Sequence, residues 1–270
     1  KDEPVETPPR IARRQDGSSM EVRYAKDEPV ETPPRSARRQ DGSSMEVRCA
    51  KDEPVECERQ QLREYMDRLG IPVITMDESG FSCGGIDVVF DYNEAAYLAT
   101  RHLLELGHRR IGCVAGTQDF KVTQDRLDGY SKALAEEGIP FDEELIYKGN
   151  YTLKSGKQSL SYLLGKRVSA IFSMNDEMAF GIYQSARMYG VRIPDDLSVI
   201  GCDNVPFGDS LEVPLSTLNV PAEEMGQLIG KKMIEAVERF EGKDKKRMII
   251  NYRPTLLVKG STARYGREAE

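Results

Sequence analysis

Beyond about residue 57, short apolar runs alternate with longer stretches in which apolar residues recur every three or four positions. The runs read as strands and the periodic stretches as amphipathic helices. Leu62, Tyr65, Met66 and Leu69 predict a helix over 58–69, stopped by Gly70. IPVITMD (71–77) and Val88-Val89-Phe90 predict strands. Asn93 reads as the cap of a helix that buries Ala96, Ala99, Leu103 and Leu106 and ends at Gly107. IGCVAG (111–116) is a strand, followed by a helix through Leu127, Tyr130 and Leu134. LIY (145–147) precedes a helix at 155–164, and AIFSM (170–174) precedes one carrying Ala179, Ile182, Ala186 and Tyr189. LSVIGC (197–202) and LSTLNV (215–220) are strands, the second leading into a helix from about Ala222 to Phe240. MIINYRPTLLVKG (248–260) is a last extended run. Apolar strands alternating with helices specify parallel sheets covered on both faces, an α/β class.

Residues 1–50 break this pattern. KDEPVETPPRIARRQDGSSMEVRYA is followed by a copy that differs only at Ile11/Ser36 and Tyr24/Cys49, and a third copy starts at Lys51 and stops after Glu56. A 25-residue period invites a solenoid. Each copy, however, has few large apolar residues, a Pro-Pro pair and an Asp-Gly-Ser-Ser stretch. Such a unit buries too little surface to offset its ordering entropy, so 1–56 is expected to be disordered or loosely extended.

Composition narrows the class. The 270 residues carry 38 Lys and Arg against 45 Asp and Glu, a net charge of −7. Each repeat is charge-balanced, so the excess belongs to the rest of the chain. That balance argues against a nucleic-acid surface, which needs clustered cations. No run of 18 apolar residues predicts a membrane span, and no N-terminal segment reads as a signal peptide. The five Cys show no CxxC spacing, and two His are too few for a Cys/His zinc site, so neither a metal nor a cofactor is expected. Reduced thiols in a cytoplasmic protein are the plain reading.

In open parallel sheets ligands bind beyond the C-terminal strand ends. The tips after the predicted strands hold Arg126, Tyr151, Asn175, Asp176, Asp203 and Asn204. A cation, a ring, carboxylates and amides suit a polyhydroxylated or heterocyclic small molecule. Each also has a purely structural reading: Asp176 as a helix cap, Asp203-Asn204 as a turn, Arg126 in an ion pair. Catalytic signatures are missing, with no GxSxG, HExxH or GxGxxG. Gly149–Lys157 imitates a phosphate loop but has six residues between its glycines, and Gln158 stands where Ser or Thr is needed. His108, straight after a helix stop, reads as a turn residue bonded to backbone rather than a general base, and His102 as structural. No enzymatic activity is expected.

ATRHLLELGHRRIGCVAG (99–116), DRLDGY (125–130), AIFSMNDEMAFG (170–181), RIPDDLSVIGCDNVPF (192–207), PLSTLNVPAEEMG (214–226) and GST (260–262) together resemble the effector-binding core of LacI/GalR-type transcriptional repressors. The resemblance covers roughly 57–262. It implies a type I periplasmic-binding-protein-like fold, two parallel-sheet subdomains around a cleft. By that likeness 57–110 and 219–240 form the first subdomain, 111–218 and 241–262 the second, and 263–270 a tail. It implies a cytoplasmic homodimer whose small effector, a sugar or a nucleobase-like metabolite, shifts affinity for operator DNA.

Carried over by position, Arg126 matches the arginine that forks onto the effector and Tyr151 the aromatic that stacks on it. Asn175 and Asp176 match the family's Asn-Asp pair, Asp203 an effector-binding aspartate, and Asp91 a first-subdomain residue lining the cleft. Two departures follow from the repeat. Operator DNA is expected to be bound only through a head domain that this sequence does not include. The opening strands of the first subdomain are replaced, so that sheet is expected to be incomplete. A transporter-type solute-binding protein shares the fold and is the alternative; GHRRI and the PLSTL-to-PAEEMG segment favour the repressor.

Overall fold

The computed structural model describes residues 11–13, 19–21, 64–65, 68, 71–76, 85–238 and 248–266. The chain divides into two units, Lys1–Pro54 and Val55–Glu270. In the first, β1 (Ile11–Arg13) pairs antiparallel with β2 (Ser19–Glu21). The rest of the repeat, and with it the expectation of disorder, lies outside the described residues. Of the helix expected over 58–69, Glu64, Tyr65 and Arg68 are helical and the remainder lies outside them too.

The described residues of the second unit form two sheets. The smaller holds β3 (Ile74–Met76), β4 (Ile86–Phe90) and β10 (Met248–Tyr252), ordered β10-β4-β3 and parallel throughout. The larger holds six strands: β5 (Ile111–Ala115), β6 (Ile146–Lys148), β7 (Ala170–Ser173), β8 (Ser198–Asp203), β9 (Ser216–Asn219) and β11 (Thr255–Leu257). Their order is β11-β9-β8-β7-β5-β6, parallel except for the antiparallel edge strand β11. The central strands β5, β7 and β8 are buried almost throughout, as continuous apolar runs in a doubly covered sheet should be.

Helices α1 (Tyr92–Glu105), α2 (Lys121–Glu136), α3 (Leu153–Gly165), α4 (Asp176–Tyr189) and α5 (Ala222–Glu238) connect these strands. Each of the first four presents a stripe of small and apolar residues at helical spacing, for example Ala96, Ala99 and Leu103 on α1 and Tyr130, Ala133 and Leu134 on α2. α1 packs on α2, and α3 on α4. Two caps fall earlier than the sequence suggests. Asp91, not Asn93, caps α1 by accepting from Glu94 N at 2.9 Å. Asn175, not Asp176, caps α4 by accepting from Met178 N at 3.0 Å. In both cases the earlier residue reaches the third amide ahead, where a short side chain closes the first turn best.

The division of the chain between sheets departs from expectation in two places. The extended run 248–260, assigned wholly to the second subdomain, splits: Met248–Tyr252 pairs with β4 of the small sheet, and only Thr255–Leu257 joins the large one. Pro254 lies between the two strands, where it interrupts the ladder and lets the chain change sheets. α1, assigned to the first subdomain, instead packs on α2 and touches strands β7, β8, β9 and β11 of the large sheet.

The C-terminal segment is stitched to the core by the two histidines. His108 is buried; Nδ1 meets Ser169 Oγ at 2.9 Å, and Nε2 lies 3.1 Å from Ser198 Oγ and 3.0 Å from the Ala263 carbonyl. His102 Nε2 lies 2.9 Å from Thr262 Oγ1. Ser261 Oγ accepts from Ser216 N and donates to the Val199 carbonyl. Burial holds both imidazoles below their usual pKa, so they act as neutral hydrogen-bonding groups.

Candidate functional site

Arg126, Tyr151, Asn175, Asp176 and Asp203 all lie at the C-terminal edge of the large sheet. Arg126 sits in the first half of α2, on the stripe that faces the core, and is only 4% exposed. Its Nη1 donates to Tyr151 Oη at 3.1 Å, and its Nη2 approaches Cys202 Sγ at 3.9 Å. The guanidinium carbon lies 4.2 Å from the Tyr92 ring centroid and 5.6 Å from that of Tyr151. Its Nε, fully buried, has no hydrogen-bond partner. Burial opposes the charge, but Cys202, Tyr151 and Asp203 around it outweigh that, and the guanidinium stays protonated. A buried cation with an unfilled donor is a high-energy arrangement unless an acceptor arrives.

Tyr151 follows β6 with φ of 65°, a left-handed conformation costly for a bulky residue. It is held by Asn175, whose Nδ2 donates to the Tyr151 carbonyl at 3.1 Å, and by Thr123, whose hydroxyl lies 2.7 Å from Tyr151 Oη. The ring lies on Gly116, just beyond β5; a Cβ there would fall inside it, 1.9 Å from its atoms. Phe120, 54% exposed, stacks against Tyr151 with centroids 6.4 Å apart and planes 16° from parallel.

Asp203 ends β8 with φ of 123°, and Asn204 follows at 58°. Two consecutive non-glycine residues in this region store strain at the strand tip. The turn is over-determined by its neighbours. Asp176, fully buried, accepts from Val205 N at 2.8 Å and from Thr217 Oγ1 at 2.7 Å. Asn204 Nδ2 donates to Asn219 Oδ1, and Lys259 Nζ donates to Asn204 Oδ1. Burial pushes the Asp203 carboxyl up to about 7, with Arg126 pulling the other way. Burial raises Asp176 to about 6, against the bonds from Thr217 and Val205. Cys202 beside Arg126 is pushed up to about 12 by its burial and stays a thiol.

The six residues matched by position to the family's effector site therefore divide. Arg126, Tyr151 and Asp203 are brought together with donors, a ring and a carboxyl. Asn175 and Asp176 act behind them, fixing Tyr151 and the 203–205 turn. Asp91 is exposed, and its carboxylate is engaged as the cap of α1. Tyr92, Phe120 and Thr123 belong to the same cluster and escaped the sequence reading. Phe120 was legible as part of the segment after β5; Tyr92 was not, because its neighbour Arg126 comes from a helix that sequence spacing does not place beside it. Among the described residues no group of three His, Cys, Asp or Glu could hold a metal ion. No helix among them is long and apolar enough to cross a membrane.

Residues 100–262 match the periplasmic binding protein-like domain. The HTH-type transcriptional repressor PurR of Vibrio atlanticus (strain LGP32) is 32% identical over 206 residues, 75% of this chain and 60% of the repressor. The HTH-type transcriptional regulator DegA of Bacillus subtilis (strain 168) is 37% identical over 177 residues, 65% of this chain and 52% of the regulator. The chain thus spans little more than half the length of these relatives. A LacI family transcriptional regulator from Enterococcus faecium, solved with bound ribose, superposes with a TM-score of 0.70 at 28% identity, over 76% of this chain and 75% of that one. The regulator CelR in complex with cellobiose gives 0.61 at 27% identity, over 76% and 70%. With its strand-tip site, its two sheets and these relatives, the chain belongs to the periplasmic binding protein-like family, in the form carried by LacI-family transcriptional regulators.

Proposed function

We propose that this chain is the effector-sensing part of a LacI-type transcriptional regulator. A small polar molecule, a sugar or a nucleobase-like metabolite, binds where Arg126, Tyr151 and Asp203 converge. The observation that carries this reading is the buried Arg126 guanidinium with its unpartnered Nε. A hydroxyl, carbonyl or ring nitrogen supplies the missing acceptor. The Tyr151–Phe120 pair offers an apolar face to a ring, and the neutral or charged Asp203 carboxyl can donate or accept. The role is binding rather than catalysis, in a cytoplasmic homodimer, and operator contact belongs to a separate head domain. Relatives solved with ribose and with cellobiose support a sugar among the candidates.

The experiment is a thermal-shift panel of ribose, cellobiose and free nucleobases against wild type and Asp203→Ala. The expected result is a concentration-dependent rise in Tm with one class in wild type that Asp203→Ala diminishes. An equal rise in both proteins would place the ligand elsewhere.

A further inference from the structure

A run of ring contacts leads from the small sheet to the Arg126 site. Phe90, the buried last residue of β4, meets Tyr92 edge-on with centroids 4.9 Å apart and planes at 61°. Arg126 lies over the Tyr92 ring at 4.2 Å. Tyr151 accepts from Arg126 and stacks on Phe120. Only Asp91 separates β4 from α1, and its N–H donates to the Tyr252 carbonyl of β10 at 3.2 Å. Tyr92 is thus tied at its backbone to the end of the small sheet and at its ring to the arginine of the large one.

The helix contact is unusually close at this point. Gly129 lies one turn on from Arg126 in α2, and a Cβ there would sit 2.0 Å from the Asn93 carbonyl oxygen. Absence of that Cβ lets the start of α1 lie directly on α2. A guanidinium stripped of water gains most from a ring face, because the π electrons meet the cation without needing a donor or acceptor. With Nε unbonded, stacking on Tyr92 rather than hydrogen bonding fixes that side of the fork.

We propose that Tyr92 is a positioning residue that couples Arg126, in the ligand site, to the end of strand β4 in the small sheet. The proposal rests on the reading of Arg126 as a ligand contact. An acceptor that draws the guanidinium changes its overlap with the Tyr92 ring. Through Phe90 and the Asp91 backbone, that change reaches β4 and its neighbour β10. Neither Tyr92 nor Phe90 needs to touch the ligand.

The test uses the full chain without any ligand. Arginine Nε–H resonances are recorded by NMR, and that of Arg126 is assigned by its loss in Arg126→Lys. It is expected to be ring-current shifted in wild type and in Tyr92→Phe, which keeps the ring face, and to lose most of that shift in Tyr92→Leu, where only the more distant Tyr151 ring remains. Amide exchange at 86–90 and 248–252 is expected to quicken by about tenfold in Tyr92→Leu and in Arg126→Gln, and to be restored in Tyr92→Phe. An unshifted Arg126 resonance in wild type overturns the proposal. So does unchanged exchange in β4 on replacing either residue, or an equal quickening at Ile111–Ala115, which would make Tyr92 a core residue only. Ligand titrations that show no dependence on Arg126 would overturn the ligand-site reading while leaving these ligand-free results standing.

Discussion

Asp203 carries a proton balance that follows from where it sits. Burial raises its carboxyl from the ordinary 3.8 to about 7, so between those values the folded chain holds a proton that the unfolded chain has released. Stability contributed by the neutral carboxyl is complete below the ordinary value and is lost as pH rises toward 7. Asp203→Asn is therefore expected to flatten the decline of Tm between about pH 4 and 7, relative to wild type. His102 and His108 act in the opposite direction over part of this range, since burial lowers theirs, but they are common to both proteins and cancel in the comparison. Parallel wild-type and Asp203→Asn curves by calorimetry would contradict the burial of this carboxyl. The sequence revealed Asp203 through its place after a strand. It could not reveal the positive φ, because the turn is held by Asp176, Thr217 and Lys259 from three other segments, or the raised carboxyl, because that comes from burial in the fold.

Strands such as Ile111–Ala115 and Ala170–Ser173 were legible because a doubly covered parallel strand is apolar at every position. Sheet membership was not, since apolar character says that a strand is buried but not beside which partner. β10 shows this: Met248 and Ile249 are exposed, and the run resembles the extended tail of the next strand. Its ladder begins with Met248 N donating to the Gly85 carbonyl and ends with Asp91 N donating to that of Tyr252. The alternation of a parallel ladder then points Ile250 N toward β4. Ile250→Pro removes that donor and is expected to speed amide exchange at Val88–Phe90 by about tenfold or more, while Ile111–Ala115 keeps its protection. Native-state exchange read by mass spectrometry decides it. Unchanged exchange at β4 would contradict the pairing of β10 with the small sheet.

Among the described residues, α4, α5 and the segment after β8 all leave apolar side chains on the surface. Met188 and Tyr189 at the end of α4 and Phe207 after β8 are 82%, 60% and 57% exposed. On α5, Met225 is buried, and Ile234 and Val237 are exposed. Self-association through the α4 surface accords with the proposed homodimer. Light scattering at micromolar concentration is expected to give a dimer that Met188→Asp weakens; a clean monomer in wild type would contradict it. Arg126 is proposed to take an acceptor for its unpartnered Nε from the ligand. Isothermal titration of wild type and Arg126→Met, with whichever sugar or nucleobase raises Tm, decides this. Loss of about 1–3 kcal/mol of binding free energy, a tenfold or greater fall in affinity, is the predicted result in Arg126→Met. Equal affinity in the two proteins would contradict it.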